Sequence, residues 1–306
     1  MAKQPRILAG QTAAITGGAR GIGRATAEAM LRQGMRVAIG DVDAEEARRT
    51  AEALGPAAVA FALDVTTRDS FAAFLDGVEQ ELAPVDVLVN NAGIMPIGPF
   101  TEEDDVTARR IVDINLHGVI IGTKLALERM IPRNSGHIVN IASQAGKFGA
   151  PGGATYSATK HAVVGLTEAV HGEMRLIGSD VALSYVMPSV VNTELGGHLG
   201  DVRTVKNLEP EEVADAIIEA LQFKIVDVYV PKRARTTLRL TAVLPRRLSE
   251  GVARAMKADR VLAGADFAAR RDYELRAARS EPSLTTAAQP QLEPVQGAAA
   301  PDEDRA

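Results

Sequence analysis

Seven short apolar segments in the first 231 residues most constrain what this chain can fold into. They lie at 12–16, 35–41, 58–64, 85–92, 137–143, 181–188 and 226–231. Their continuous apolar character is typical of strands that are covered on both faces, as in a parallel sheet. Helical patterns separate them, at about 21–33, 43–53, 68–82, 103–131, 156–177 and 210–222. This alternation predicts an α/β fold: a doubly wound, Rossmann-like, seven-stranded parallel sheet with helices on both faces.

The composition changes after residue 231 and divides the chain into three parts. One domain is predicted over 9–231. No acidic residue lies between Asp227 and Glu250, where arginines alternate with leucines and valines, so 232–279 is expected to be a basic, helical extension. From 280 to 306 the chain is rich in Ala, Pro, Gln, Glu and Ser, and we expect a disordered tail because such a segment buries too little apolar surface.

Several function classes are excluded by composition. A net charge of −5 argues against a general affinity for nucleic acid, and the absence of cysteine excludes disulfides and thiolate nucleophiles. The five histidines are too scattered to suggest a metal site. No apolar run approaches the roughly 20 residues of a membrane span, and the first residues lack the apolar core of a signal peptide. A soluble, cytoplasmic protein is expected.

A glycine-rich segment, TGGARGIG at 16–23, joins the first predicted strand to the first predicted helix. Gly17, Gly21 and Gly23 would let the backbone turn tightly and approach a pyrophosphate, with the helix N-terminus facing its negative charge. The spacing differs from the GxGxxG of the standard dinucleotide fingerprint. An ordinary glycine-rich turn is therefore an alternative.

Asp41 closes the second predicted strand, 18 residues after Gly23. A carboxylate at this point can accept hydrogen bonds from an adenosine ribose, and it would repel a 2′-phosphate. NAD(H) is therefore the expected cofactor. Arg20, inside the glycine loop, keeps NADP(H) open as the less favoured alternative, because a basic side chain near that ribose can accept the phosphate.

Tyr156 and Lys160 stand four residues apart in the segment YSATK. Four residues are about one helical turn, so the phenol and the ammonium share one face of the predicted helix. A free phenol titrates near pH 10, and nearby cations favour the phenolate. We expect Lys160, together with the positive charge of an oxidised nicotinamide, to lower the pKa of Tyr156 so that the phenol can serve as a base. The alternative is that Tyr156 is an aromatic residue of the core.

Further motifs occur in chain order with these two. They are Asp64-Val65, NNAG (90–93), Asn115, and Ser143, which stands 13 positions before Tyr156. With them, the chain resembles the short-chain dehydrogenase/reductase family over about residues 9 to 231. The resemblance implies an NAD(P)-dependent oxidoreductase acting on an alcohol or a ketone.

The resemblance also implies the catalytic roles. Tyr156 would be the general base and acid, and Ser143 would hydrogen-bond the substrate oxygen. Lys160 would hold the nicotinamide ribose, and Asn115 would link Lys160 through water to solvent. Together with Tyr156 and Lys160, the residues implied to contact the cofactor are Gly17, Arg20, Gly21, Ile22, Gly23, Asp41, Asp64, Val65, Asn91, Ala92, Gly93, Pro188, Val191 and Thr193. Ser189 replaces the usual glycine after Pro188, which leaves the local backbone geometry of that loop open.

The loops after the strands predict an apolar substrate pocket. They supply mostly apolar residues, namely Ile94, Met95, Ile97, Phe148, Val190 and Leu195. A lipophilic alcohol or ketone is therefore expected. Two other functions stay open: an NADPH-dependent ketoreductase and a regulator that binds a dinucleotide without turnover.

A homodimer or homotetramer is expected from the resemblance, with the 103–131 and 156–177 helices at the dimer interface. The basic segment 232–260 allows three interpretations. It covers the substrate entrance, makes weak contact with an anionic membrane surface, or is a solvated or oligomer-facing helix.

Overall fold

A single seven-stranded sheet forms the centre of the computed structural model, which describes residues 4–199, 207–255, 261–262 and 264–279. The strands are β1 (Thr12–Thr16), β2 (Arg36–Asp41), β3 (Ala58–Ala62), β4 (Val87–Asn90), β5 (His137–Ile141), β6 (Ala182–Pro188) and β7 (Asp227–Val230). All neighbours are parallel, in the order β3-β2-β1-β4-β5-β6-β7. The predicted doubly wound sheet is confirmed.

Helices cover both faces of this sheet. They are α1 (Gly21–Arg32), α2 (Ala44–Leu54), α3 (Arg68–Glu81), α4 (Asp105–Val112), α5 (Gly118–Met130), α6 (Ala154–Leu176) and α7 (Pro210–Phe223). Successive strand residues point to opposite faces, so Ala13 and Ile15 of β1 pack in one core with α1, α2 and α7, whereas Ala14 packs in another with α3 and α5. Two buried layers explain why the strands are apolar throughout.

The segment expected to be helical over 103–131 is not one continuous α-helix. A π-helical turn, Asp113–His117, separates α4 from α5. One extra residue enters the backbone there, which changes the direction of the side chains that follow. The α6 helix also begins at Ala154, two residues earlier than expected.

Within the described residues, three more helices follow β7: α8 (Ala234–Val243), α9 (Arg246–Ala255) and α10 (Phe267–Arg279). Among the described residues, none of the helices has the length and apolar content that crossing a membrane requires. The tail expected to be disordered, 280–306, lies outside the described residues.

The strand order creates a crevice at one edge of the sheet. From β1 the chain proceeds outwards to β2 and β3, and then returns to add β4 on the other side of β1. The loops that follow β1 and β4 therefore diverge at their carboxyl ends, which is where ligands bind in open α/β sheets. This crevice positions the candidate site.

Candidate active site

The glycine loop leaves no room for side chains at Gly17 and Gly23. Gly17 has a positive φ of +62°, and a Cβ at Gly23 would lie 2.3 Å from the carbonyl oxygen of Gly17. Both positions therefore require glycine, Gly17 for its conformation and Gly23 for its close approach to the loop. Helix α1 begins here without a side-chain cap and without an acidic residue in its first turn. Its first N–H groups can face an anion such as a pyrophosphate.

Thr16 and Asn91 hold the glycine loop against the end of β4. The Thr16 hydroxyl accepts hydrogen bonds from the N–H groups of Asn91 and Ala92, both at 3.0 Å. The Asn91 amide nitrogen donates to the carbonyls of Thr16 and Gly17, both at 2.9 Å. Asn91, expected beside the adenosine ribose, thus shapes the loop that would bind the pyrophosphate. Thr16 was not predicted as a site residue.

Asp41 is fixed by backbone donors at the end of β2. Its two carboxylate oxygens accept from the N–H groups of Ala19 and Asp43, each at 3.1 Å. Burial raises the pKa of the Asp41 carboxyl above its usual value, while these two backbone hydrogen bonds and the charge of Arg20 oppose the rise. The carboxylate is thereby held in one orientation beside the crevice.

Arg20 points towards the first turn of α2. Its guanidinium lies 2.8 Å from the Asp43 carboxylate and 3.7 Å from that of Glu46. These pairs are partly exposed, and exposed ion pairs contribute only about 0–1 kcal/mol. Arg20 is therefore held only weakly by these carboxylates, and the choice between NAD(H) and NADP(H) by Asp41 or Arg20 stays a prediction.

The remaining expected cofactor residues line the same crevice. Asp64 and Val65 follow β3, and the Asp64 carboxylate accepts from the Thr66 N–H at 2.9 Å. Ile22, Ala92, Gly93, Pro188, Val191 and Thr193 also line it. Ser189 has no positive φ, and its N–H donates to the Val230 carbonyl at 2.9 Å, so the loop does not need glycine at that position.

Ser143, Tyr156 and Lys160 lie together on the opposite wall of the crevice. Ser143 follows β5 and hydrogen-bonds Tyr156, which is only 7% exposed. One turn further along α6, the Lys160 ammonium donates to the Ile141 carbonyl at 2.8 Å and lies 5.5 Å from the centroid of the Tyr156 ring. The structure thus brings together three of the four residues expected to carry the chemistry.

The expected lowering of the Tyr156 pKa is not found in the protein alone. Burial raises the pKa of Tyr156 to about 12, and the hydrogen bond from Ser143 only partly opposes this. Burial also lowers the pKa of Lys160 to about 8. Desolvation disfavours each charged form. The expected lowering also counted the positive charge of an oxidised nicotinamide, so it stays a prediction for the complex.

Asn115 lies in the π-helical turn and is fully buried. Its amide oxygen accepts from the Ile94 N–H and its amide nitrogen donates to the Ile94 carbonyl, both at 2.8 Å. The nitrogen also lies 3.5 Å from the hydroxyl of Thr159, the residue before Lys160. Asn115 therefore joins the loop after β4 to α6, and its water link to Lys160 stays a prediction.

Comparison with known proteins decides the family. The family model for short chain dehydrogenase matches residues 11–203. The chain belongs to this family. The match includes both the glycine loop and the Tyr156 and Lys160 pair, and it identifies the chain as an oxidoreductase.

Curated short-chain dehydrogenases resemble this chain over most of their length. Sorbitol dehydrogenase of Cereibacter sphaeroides is 41% identical over 188 residues, 61% of this chain and 73% of that protein. Cis-4-hydroxycyclohexanecarboxylate dehydrogenase of Sinomonas cyclohexanicum is 38% identical over 222 residues, 69% of this chain and 88% of that protein. A short-chain dehydrogenase/reductase from Burkholderia phymatum, solved in complex with NAD, superposes with a TM-score of 0.72 at 28% identity, covering 78% of this chain and 94% of that one.

One cavity of about 1650 Å³ runs from the glycine loop of this dehydrogenase to the far side of Tyr156. Around Tyr156 its wall is a cluster of apolar residues, namely Met95, Ala145, Phe148, Ala150, Leu195, Leu199, Val261 and Leu262. Tyr273 of α10 also lines it. Leu262 and Tyr273 were not predicted as site residues. A single tyrosine among the charged residues of 270–276 could have indicated that this part of the helix is buried.

Proposed function

We propose that this short-chain dehydrogenase transfers hydride between NAD(H) and an apolar secondary alcohol or the corresponding ketone, with Tyr156 as general base and acid. One observation carries the proposal. Tyr156, hydrogen-bonded to Ser143 and one helical turn from Lys160, stands in a cavity that is continuous with the glycine loop.

The residues present fit the dinucleotide. The uncapped N-terminus of α1 and the side-chain-free glycines would receive the pyrophosphate, and the Asp41 carboxylate would accept from the adenosine ribose. Lys160 donates one hydrogen bond to a carbonyl among the described residues, which leaves two N–H groups for the nicotinamide ribose. When bound, the oxidised dinucleotide supplies the hydride acceptor and a positive charge near Tyr156. The NAD complex of the Burkholderia protein supports this choice.

Tyr156 and Ser143 carry out the transfer of the substrate hydroxyl proton. In alcohol oxidation the Tyr156 oxygen takes the hydroxyl proton while the carbinol carbon loses its hydride, so the C–O bond becomes a carbonyl. Ser143 donates a hydrogen bond to the substrate oxygen and stabilises the negative charge that develops on it. In ketone reduction Tyr156 returns the proton. A neutral phenol, which burial favours at rest, is the form that reduction needs.

The substrate class follows from the wall of the cavity around Tyr156. Met95, Phe148 and Leu195 present carbon atoms to the reacting centre. A sugar alcohol would lose the hydration of several hydroxyl groups there without enough partners, at about 1–3 kcal/mol for each. An apolar ring or chain fits this wall better. The Sinomonas relative is named for a cyclic secondary alcohol that also carries a carboxylate, and the Cereibacter relative for a polyol. The wall of the cavity, rather than these names, therefore supports the choice.

The test is a comparison of cyclohexanol with sorbitol and galactitol as hydride donors to NAD⁺, followed by NADH absorbance. We expect kcat/KM to be at least about a hundredfold higher for cyclohexanol, which corresponds to about 2.7 kcal/mol of transition-state stabilisation. A preference for either polyol would overturn the apolar substrate class, and turnover of none of the three would count against the proposed reaction itself.

A further inference from the structure

The α10 helix lies on the two loops that flank the substrate side of the cavity, although it is remote from the sheet in the sequence. One loop follows β4 and carries Met95 and Ile97, and the other follows β6 and carries Leu195 and Gly197. The family match ends at residue 203, so it assigns no role to this helix.

Arg270 is the main link between α10 and both loops. Its side chain is 1% exposed. It donates to the carbonyl oxygens of Leu195 at 2.9 Å, Gly197 at 2.7 Å and Met95 at 3.2 Å, and to the Glu274 carboxylate at 2.9 Å. A buried guanidinium is stable only when its donors are paired, and here they bridge the two loops.

Tyr273 places a phenol ring in the wall of the cavity that contains Tyr156. Its hydroxyl oxygen accepts from the Met95 N–H at 2.8 Å, and the Arg270 guanidinium lies 4.9 Å from its ring centroid. Two chemically independent contacts therefore hold the ring against the pocket.

Further contacts from α10, and from the segment before it, hold the helix against the pocket. Glu274 accepts from the Ile97 N–H at 3.3 Å, and Arg276 pairs with Glu194. Before the helix, Leu262 is 6% exposed and packs with Tyr156 in the apolar cluster. A Cβ at Gly153 would lie 2.5 Å from a methyl group of Leu262, so the loop before α6 accommodates Leu262 closely.

We propose that α10 forms the outer wall of the substrate pocket, with Arg270 as the residue that positions the helix and Tyr273 as a substrate-contacting residue that sets specificity. The proposal deepens the proposed function and rests on it for its substrate. It also gives part of the extension a role, because α10 covers the substrate side of the site. Residues of the basic 232–260 segment, such as Leu238 and Arg246, line the same cavity.

The first test compares Arg270→Gln with Arg271→Gln in the full-length chain. Arg271 is exposed on the same helix, so the two variants remove the same charge one position apart. We expect Arg270→Gln to raise KM for cyclohexanol about tenfold and to leave NADH affinity within about twofold, because Arg270 bonds the loops after β4 and β6 and not the glycine loop. Arg271→Gln should change neither quantity. Equal effects in the two variants would overturn the positioning role.

Amide hydrogen exchange gives a readout that does not depend on turnover. The Met95 N–H donates a hydrogen bond to the Tyr273 hydroxyl oxygen, which Arg270 helps to position. The peptide that contains Met95 should therefore exchange its amide hydrogens faster in Arg270→Gln than in Arg271→Gln or the wild type. Unchanged exchange would contradict the placement of α10. If no alcohol is oxidised, the proposed function fails, while this measurement still decides whether α10 lies on the loop.

Tyr273→Ala tests whether Tyr273 sets substrate specificity. It also tests the placement of α10 at the pocket if Arg270→Gln does not fold. Removing the ring should enlarge the pocket, so the ratio of kcat/KM for 4-tert-butylcyclohexanol to that for cyclohexanol should rise about tenfold. Tyr273→Phe, which keeps the ring, should leave this ratio within about threefold of the wild type. Loss of activity in equal proportion for both alcohols in Tyr273→Ala would mean a merely structural role and would overturn the proposal.

Discussion

The ammonium nitrogen of Lys160 lies 5.5 Å from the centroid of the Tyr156 ring and is hydrogen-bonded to the carbonyl oxygen of Ile141. Burial keeps the phenol neutral, with a pKa of about 12. Bringing that pKa to about 7 would need roughly 7 kcal/mol. The charge of the lysine and the burial act in opposite directions, and burial dominates in the protein alone. In the proposed mechanism, the positive charge of an oxidised cofactor would further favour the phenolate.

The rate of alcohol oxidation should therefore rise with pH. Below the phenol pKa, the phenolate fraction increases about tenfold for each pH unit, so log kcat/KM for cyclohexanol oxidation should increase with a slope near one from about pH 6 to 8. Ketone reduction, which uses the neutral phenol, should be nearly independent of pH in that range. Initial rates in both directions provide the test. If the oxidation rate is independent of pH while the reduction rate falls as the pH rises, the phenol pKa lies below this range.

Asp41 should control the choice of dinucleotide. In Asp41→Ser, the adenosine ribose of NADH loses a carboxylate hydrogen-bond acceptor, so NADH should bind about tenfold more weakly. The 2′-phosphate of NADPH is no longer repelled by a carboxylate, so NADPH should bind more tightly. Arg20→Gln is the comparison, and we expect less than about a threefold change in NADH affinity because Arg20 is paired with Asp43. Nicotinamide fluorescence measures both affinities. Wild-type protein that prefers NADPH, with the preference lost in Arg20→Gln, would assign the selection to Arg20.

Gly23→Ala should disrupt dinucleotide binding through one methyl group. The added Cβ would lie 2.3 Å from the Gly17 carbonyl oxygen, so the loop must move, at about 1–3 kcal/mol of folding stability and with loss of NADH binding. Gly165→Ala is the matched control: its Cβ would meet nothing within 4 Å, and alanine should stabilise α6 by about 0.5–1 kcal/mol. Urea unfolding with NADH titration distinguishes the two. Normal NADH binding by Gly23→Ala would contradict the described loop.

His137 should make the protein less stable in mild acid. Burial, with smaller contributions from the charges of Arg6 and Lys224, lowers the pKa of His137 from 6.5 to about 3. The Ser184 hydroxyl donates to the Ile225 carbonyl and so accepts from His137 Nε2, while Nδ1 has no partner among the described residues. The ring is thus held neutral in the folded state.

The unfolded chain binds one more proton than the folded chain between these two pKa values. Stability should therefore fall as the pH drops below 6.5, by about 2 kcal/mol at pH 5 from this residue alone. Urea unfolding between pH 5 and 8 measures the slope. The slope should be smaller in His137→Gln than in the wild type, and identical slopes would show that His137 does not contribute.

The sheet was predictable because its strands are buried on both faces. A run such as VDVLVNNA carries a clear apolar signal, and the glycine loop and the Tyr156 and Lys160 pair follow from spacing within single segments. The π-helical turn at Asn115 was not predictable, since one extra residue hardly alters a helical apolar pattern. The strand ends were also overestimated, because the predicted strands included 91–92 and 142–143, where the chain has already left the sheet for the loops that carry the site.

The outer wall of the pocket could not be predicted for a different reason. The bond from Arg270 to Met95 joins residues 175 positions apart, and no local pattern reports such a contact. The sequence of α10 is also strongly charged, which favours a solvated helix. The buried state of Arg270 depends on the carbonyl oxygens of two distant loops. The depth of burial, which raises the pKa of Tyr156 in the protein without its cofactor, was likewise not visible in the sequence.

The most direct measurement of the central claim is single-turnover NADH formation by Tyr156→Phe, with NAD⁺ and cyclohexanol. Phenylalanine keeps the ring in the pocket and removes only the oxygen that takes the proton. We predict a loss of about 10³-fold in rate, with NADH affinity within about threefold of the wild type. A Tyr156→Phe rate within about tenfold of the wild type would contradict the role of Tyr156 as the catalytic base.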